Sequence, residues 1–150
     1  MNVRSICSRR PVTINPQLDL KEAAALMREK HVGFLVVVPA EPRAPRAPIG
    51  VITDRDIVVS AVAQGVDPTA IKVGEVMSHQ PAVAAESDAI DAALKTMQRM
   101  GVRRVPVVNG QGELVGVLSL DDLLGFVAGE VAGLARLVRN GQQIEGVLRS

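Results

Sequence analysis

The chain has 150 residues, of which 47% are hydrophobic, and its 17 Lys+Arg are balanced by 16 Asp+Glu. This length and composition predict one domain or two tightly joined halves, and they exclude a disordered chain. Nucleic-acid binding is disfavoured, because a basic face is missing and aromatic stacking platforms are scarce, with no Trp, no Tyr and only two Phe.

A single cysteine, Cys7, excludes an internal disulfide and any multi-cysteine metal site. The first residues lack the apolar run of a signal peptide, and no apolar stretch approaches the ~18 residues of a membrane span. We therefore expect a cytoplasmic protein with no metal site and no membrane or nucleic-acid partner.

The first half of the chain begins with a short apolar strand over residues 11–14, which starts at a proline. An amphipathic helix follows over residues 20–30, because apolar residues recur there at i, i+3, i+4 and i+7. Asp19, with Glu22 three residues later, predicts a capping box at the start of this helix.

Two more strands and a second helix complete the first half. A β-branched run over residues 34–38 predicts the second strand, residues 49–52 predict the third, and the helix begins at Asp54. The connection between these strands has a proline at every third residue from Pro39 to Pro48, the spacing of polyproline II. This loop is either a stiff surface connection or a docking site for a partner.

The second half repeats the first. After a turn at residues 64–68, the same order of elements recurs at residues 81–84, 90–100, 105–108, 114–118 and from Asp121. A shift of 70 residues places Val3 on Val73, and beyond the proline-rich loop a shift of 66 places Thr53 on Ser119. We infer an internal duplication, which predicts an α/β fold with two β-α-β-β-α repeats.

The duplication divides the chain into three predicted parts. The first repeat covers residues 1–66, the second covers residues 67–131, and a helical tail covers residues 132–150. The tail carries apolar residues on an interrupted helical pattern and is a candidate to pack on a second subunit.

Two stretches carry the signature of a known family. Residues 50–56 and 116–122 each have a glycine, an apolar strand, Thr or Ser, two further residues and Asp, and they resemble the signature of cystathionine-beta-synthase (CBS) repeats. Residues 101–108 resemble the second-strand motif of that family. The resemblance runs from about Val3 to Val131. It implies a Bateman module, in which two clefts between the repeats hold adenosine ligands such as AMP, ADP, ATP, S-adenosylmethionine or dinucleotides.

The paired Thr-x-x-Asp and Ser-x-x-Asp motifs are the candidate ribose-binding residues, Thr53 with Asp56 and Ser119 with Asp122. A carboxylate at the start of a helix can accept hydrogen bonds from both hydroxyls of a ribose. The alternative is helix capping, because Thr and Ser are both favourable residues at the N-cap of a helix.

The other candidate ligand residues follow from the resemblance. The adenine slot is assigned to the first strand of each repeat, which comprises Val12, Thr13, Ile14, Ala82, Val83 and Ala84; a plain core strand is the alternative. Arg103 and Arg104 are the candidate phosphate-binding residues, because arginine matches phosphate with a planar donor fork. The alternative is a solvated pair of charges.

The resemblance also implies unequal clefts. In the family, a cleft combines the ribose carboxylate of one repeat with a cation on the second strand of the other. The cleft of Asp56 then receives Arg103 or Arg104, whereas the cleft of Asp122 receives the uncharged Gly33 and Phe34. We expect the first cleft to bind the phosphorylated nucleotide more tightly, unless a neighbour such as His31 supplies the missing charge.

No catalytic set can be assembled from two scattered histidines, His31 and His79, so we expect no enzyme and no cofactor beyond an adenine nucleotide acting as a regulatory ligand. The leading hypothesis is a stand-alone sensor that acts on an unidentified regulated protein. The alternative is a ligand-independent dimeric interaction scaffold. We expect a homodimer, since amphipathic helices over small sheets leave apolar faces uncovered and the mean hydropathy is +0.22.

Overall fold

The computed structural model describes residues 1–149, and in the order of its elements the predicted β-α-β-β-α unit occurs twice. The first unit comprises β1 (Thr13–Ile14), α1 (Leu20–Lys30), β2 (Phe34–Val37), β3 (Gly50–Thr53) and α2 (Asp54–Ile57). The second unit comprises β5 (Ala84–Ala85), α4 (Ile90–Met100), β6 (Arg104–Val108), β7 (Leu114–Ser119) and α5 (Leu120–Arg149). Between them lie α3 (Val73–Val76) and β4 (Ser78–His79), and α2 continues as a π-helical segment, Val58–Val62.

Both amphipathic helices have the bounds that the apolar periodicity predicts. At the start of α1 the Asp19 carboxylate accepts a hydrogen bond from the Glu22 amide, and the Glu22 carboxylate accepts one from the Asp19 amide. The predicted capping box is therefore confirmed. The first strand of each unit is shorter than predicted, because only two residues of it pair with the neighbouring strand.

The strands form two small sheets, each with its own hydrophobic core. The first has the order β1-β2-β3-β4 and the second β5-β6-β7. In both, the first strand is parallel to the second and the remaining pairs are antiparallel. Leu20, Leu35 and Ile52 are fully buried in the first core, and Val107 and Leu118 are fully buried in the second.

The segments that precede the first strand are exchanged between the two units. Val3, from the start of the chain, is fully buried in the second core, and its repeat-related partner Val73 is fully buried in the first. The Ser8 amide donates to the Val117 carbonyl at 3.0 Å, and β4 pairs with β3. The packed units consequently differ from the chain segments 1–66 and 67–131: each includes a piece of the other's sequence.

This exchange explains the glycine of the repeated signature. A Cβ added to Gly50 would lie 2.5 Å from the sulfur of Met77, and one added to Gly116 would collide with the Ser8 carbonyl oxygen. In both units the exchanged segment pairs with the third strand and lies close against it at the glycine. A larger residue at either position would push the segment away from the sheet.

The predicted tail has no boundary of its own. Residues 132–149 continue α5, which runs for 30 residues from Leu120. Its part beyond residue 133 is exposed along the whole length for which side chains are described. Among the helices described over residues 1–149, none combines the length and the apolar character that crossing a membrane requires.

The proline-rich loop lies against both units. The Leu114 amide donates to the carbonyl oxygen of Arg46 at 2.8 Å, and the Arg46 guanidinium donates to the Thr13 hydroxyl at 3.2 Å. These contacts attach the loop to β7 of one unit and to β1 of the other. They agree with the interpretation of the loop as a surface connection held against the module.

Candidate functional site

The larger of two clefts between the units is lined by the Thr-x-x-Asp motif of one unit and by arginines from the other. Thr53 and Asp56, at the junction of β3 and α2, line a cavity of about 600 Å³ together with Arg103 and Arg104 from the start of β6. We call this cavity the Asp56 cleft. Its volume lies within the range of about 300–1,000 Å³ that is typical of small-molecule sites.

The Asp56 carboxylate is held in place by a capping box. Its Oδ2 accepts a hydrogen bond from the Thr53 amide at 2.8 Å, while the Thr53 hydroxyl accepts one from the Asp56 amide at 3.2 Å. Within residues 1–149, no hydrogen bond is donated to Oδ1 of Asp56. Because a carboxylate has about four acceptor positions, this atom can still accept hydrogen bonds from a ligand. Capping and ligand binding are thus compatible functions of one side chain.

The second motif has the same local geometry in a smaller cavity. The Asp122 Oδ2 accepts from the Ser119 amide at 2.9 Å, and the Ser119 hydroxyl accepts from the Asp122 amide at 3.1 Å. Both residues line a cavity of about 270 Å³, which we call the Asp122 cleft. Gly33 and Phe34 line it too, at the positions that the repeat assigns to them.

The expectation that the Asp122 cleft contains no arginine is wrong. Arg10 and Arg104 both line it, and so does His31. Arg10 reaches the Asp122 cleft because the start of the chain is exchanged onto the second unit. The sequence argument considered cations only on the second strand of each repeat, and it therefore missed Arg10.

One arginine, Arg104, lines both clefts. Arg104 and Phe34 occupy equivalent positions in the two repeats, and both side chains line both cavities. The guanidinium carbon of Arg104 lies 5.9 Å from the centroid of the Phe34 ring, within the range of a cation–π contact. The two side chains therefore form the wall between the clefts, close to the pseudo-twofold axis.

The candidate adenine residues are only partly at the cleft surfaces. Val12 lines the Asp122 cleft, whereas Ile14 and Ala84 are buried in the first and second cores. The Thr13 hydroxyl is bonded to Arg46. Ala82 packs against the second core and Val83 is 40% exposed, and neither is among the residues that line the Asp56 cleft.

Several lining residues were not assigned to the clefts from the sequence. Ser78 lines the Asp56 cleft and Ser8 lines the Asp122 cleft, and these two serines coincide at the shift of 70 residues. Their equivalent positions in the two repeats were the sequence signal that could have identified both serines as cleft residues. Asp54 and Arg55 also line the Asp56 cleft, which brings three arginines and two carboxylates to its walls.

Other polar groups stand outside this arrangement. Burial raises the pKa of the Cys7 thiol, which packs against the second core. His79 is exposed in β4. In the part of the chain that the structure describes, no three His, Cys, Asp or Glu side chains lie close enough together to hold a metal ion.

Comparison with known proteins gives relatives in sequence and neighbours in structure. The protein MK0525 of Methanopyrus kandleri is 34% identical over 125 residues, which are 83% of this chain and 61% of that protein; the chain thus spans less than two thirds of this relative. Among solved structures, the CBS domain protein PAE2072 from Pyrobaculum aerophilum, complexed with AMP, has a TM-score of 0.73 at 32% identity, covering 82% of this chain and 90% of that one.

A second solved structure is the CBS domain pair of protein MJ0100, in complex with 5′-methylthioadenosine and S-adenosyl-L-methionine. It has a TM-score of 0.74 at 25% identity and covers 87% of this chain and 98% of that one. The family model for the CBS domain matches residues 3–62 and 73–129, one match for each of the two sequence repeats. The chain therefore belongs to the CBS domain family, as a tandem pair of repeats that form one Bateman module.

Proposed function

We propose that this chain is a regulatory module that senses an adenine nucleotide and transmits its binding to a regulated protein. The observation that carries the proposal is the Asp56 cleft, where a ribose-type carboxylate from one repeat lies beside arginines from the other. The ligands of PAE2072 and of MJ0100 all contain adenosine, which supports the same ligand class here.

Each part of such a ligand has a matching group. The Oδ1 atom of Asp56 accepts from the ribose hydroxyls, while Oδ2 stays on the Thr53 amide. Arg103 and Arg104 pair with the phosphate through their planar donor forks, and these bonds are stronger because both partners are charged. The adenine ring packs against aliphatic side chains near the first strands, since the chain contains only two aromatic residues.

The module works as a homodimer in this proposal. The helices leave large apolar side chains exposed, among them Val58 and Val62 beside α2 and Leu124 in α5. In a chain of 15.9 kDa, so much exposed apolar surface is typical of a protein that associates. Ligand binding between the repeats would change their relative position, and a dimer would pass this change to a partner.

Thermal unfolding tests the sensor function. We expect AMP, ATP or S-adenosylmethionine to raise the melting temperature by several degrees, because a ligand at 100 times its Kd stabilises the native state by about 2.7 kcal/mol. Guanosine monophosphate is the matched control for the base. If no adenosyl ligand raised the melting temperature, the ligand-independent scaffold would replace the sensor.

A further inference from the structure

Arg104 lies between the two repeated motifs of the module. In its own sheet it pairs with Ser119, and in the other sheet the equivalent residue, Phe34, pairs with Thr53. Ser119 and Thr53 are the first residues of the two motifs. Because the Arg104 guanidinium carbon lies 5.9 Å from the centroid of the Phe34 ring, this one side chain connects the neighbourhoods of both motifs.

The Arg104 guanidinium is available to bind an anion. The side chain is exposed, and within residues 1–149 it makes no ion pair with a carboxylate. Its contact with the Phe34 ring is of the cation–π type, which at an exposed site is weaker than the charged hydrogen bonds between arginine and phosphate. A phosphate in either cleft can therefore draw the guanidinium towards itself.

The positive charge of the Asp56 cleft depends on Arg104. The charged residues that line this cleft are Arg55, Arg103, Arg104, Asp54 and Asp56. Three guanidinium groups against two carboxylates leave one net positive charge. When Arg104 is engaged elsewhere, the remaining charges of the cleft cancel.

The Asp122 cleft depends on the same arginine. The charged residues that line it are Arg10, Arg104 and Asp122, with His31 counted as neutral. They also leave one net positive charge, which disappears without Arg104. The two clefts together are lined by four arginines and three aspartates, because Arg104 is counted only once. Their combined positive charge is thus no larger than that of one cleft alone.

We propose that Arg104 couples the two clefts, so that a phosphorylated ligand in one cleft lowers the affinity of the other for a second phosphate. An uncharged adenosine ligand is not affected in this way, because it needs no cation and adds no repulsion. The fully occupied module accordingly holds one phosphorylated and one uncharged adenosine ligand. This inference rests on the proposed function and specifies its regulation.

Two physical effects act in the same direction. A planar guanidinium makes its paired hydrogen bonds with one phosphate at a time, so the second phosphate loses them. Two bound phosphates also repel each other across the wall that the clefts share. By thermodynamic linkage the effect is reciprocal, and whichever cleft is filled first weakens the other by the same factor.

Stepwise dissociation constants measure this coupling. Calorimetric titration of the wild-type chain gives two constants for AMP, and the Asp122→Ala and Asp56→Ala chains give the constant of each remaining cleft. Without coupling, the product of the two wild-type constants equals the product of the two single-cleft constants. We expect the wild-type product to be about tenfold larger for AMP and equal for adenosine, the matched control ligand. The titrations are made at about pH 8, above the range in which histidine titrates.

The variant Phe34→Arg tests whether a shortage of cations causes the coupling. The fold already has an arginine at the equivalent position of the other repeat, and the substitution gives each cleft a cation of its own. We expect the excess in the AMP product to be lost and the second AMP to bind more tightly. Phe34→Leu, which removes the ring without adding a charge, is the matched control and should keep the excess.

Each outcome supports or overturns the coupling. A second AMP too weak to measure in the wild-type chain, although Asp56→Ala binds AMP, is the strongest form of the expected result. Equal products for AMP would overturn the coupling and leave nucleotide binding standing. The same holds for an Asp56→Ala chain that binds adenosine but not AMP, because its remaining cleft would have no phosphate affinity to lose.

Failure of the proposed function gives a different result. A wild-type chain that binds neither AMP nor adenosine would overturn both the sensor and the coupling. An excess that persists in Phe34→Arg would contradict the role of Arg104 while leaving the sensor intact. The wild-type measurement requires no change in the wall between the clefts, so it decides the question even if Phe34→Arg fails to fold.

Discussion

The two clefts of this module share a motif geometry and differ in size and in the charged side chains that line them. The capping boxes of Asp56 and Asp122 agree within 0.1 Å in both hydrogen bonds, at 2.8 and 3.2 Å against 2.9 and 3.1 Å. The cavities around them measure about 600 and 270 Å³. The Asp56 cleft has Arg55, Arg103 and Arg104 on its walls, and the Asp122 cleft has Arg10 and Arg104.

The difference shows how a duplicated fold acquires unequal sites without losing its internal symmetry. The motif that caps a helix is retained in both copies, because each helix needs it. The position that faces the neighbouring cleft has diverged to Phe34 in one repeat and Arg104 in the other, and the two side chains now contact each other. Since Arg104 borders both cavities, two phosphates bound at the same time would compete for it.

The largest effect should come from removing the two proposed ribose-binding carboxylates one at a time. Asp56→Ala should weaken AMP binding by roughly 10–100-fold, because it removes charged hydrogen bonds that contribute about 1.5–3 kcal/mol each. Asp122→Ala is the matched control, since it removes the same capping contact from the other cleft. Calorimetric titration measures both. Equal affinity losses in the two variants would remove the distinction between the clefts.

Substitution of the two arginines should show which of them acts in both clefts and which acts only in the Asp56 cleft. Arg103→Ala should weaken AMP by about tenfold at the Asp56 cleft and leave adenosine almost unaffected, because adenosine carries no phosphate. Arg104→Ala should also weaken any phosphate-bearing ligand in the Asp122 cleft. Fluorescent-nucleotide competition with AMP and adenosine gives the two ratios. An equal loss for AMP and adenosine would show that these residues contact the nucleoside instead of the phosphate.

Ionic strength should have the smallest effect. Raising the salt concentration from about 0.1 to 1 M shortens the Debye length from about 10 to 3 Å and should weaken AMP binding by a few-fold, since the Asp56 cleft is open to solvent. Adenosine binding should change little. A salt dependence that is the same for both ligands would argue against phosphate recognition by the arginines.

The sequence predicted the repeated fold and both carboxylate motifs, because each depends on local patterns. Apolar periodicity determines the bounds of α1 and α4, and Thr53 and Ser119 each begin a helix through their own hydroxyl. Arg10 was missed because its place in the Asp122 cleft depends on the exchange of the first residues onto the second unit. The sharing of Arg104 was missed for a related reason: it depends on the packing of the two repeats, which no local pattern encodes.

We propose that the Asp56 cleft is the main site for a phosphorylated adenosine ligand. A crystal structure with AMP at a concentration near its Kd would show directly which cleft the ligand occupies. We expect AMP in the Asp56 cleft, its ribose hydroxyls on the Asp56 carboxylate and its phosphate on Arg103 or Arg104, with the Asp122 cleft empty or only partly filled. AMP bound in the Asp122 cleft alone, or equally in both clefts, would contradict the claim.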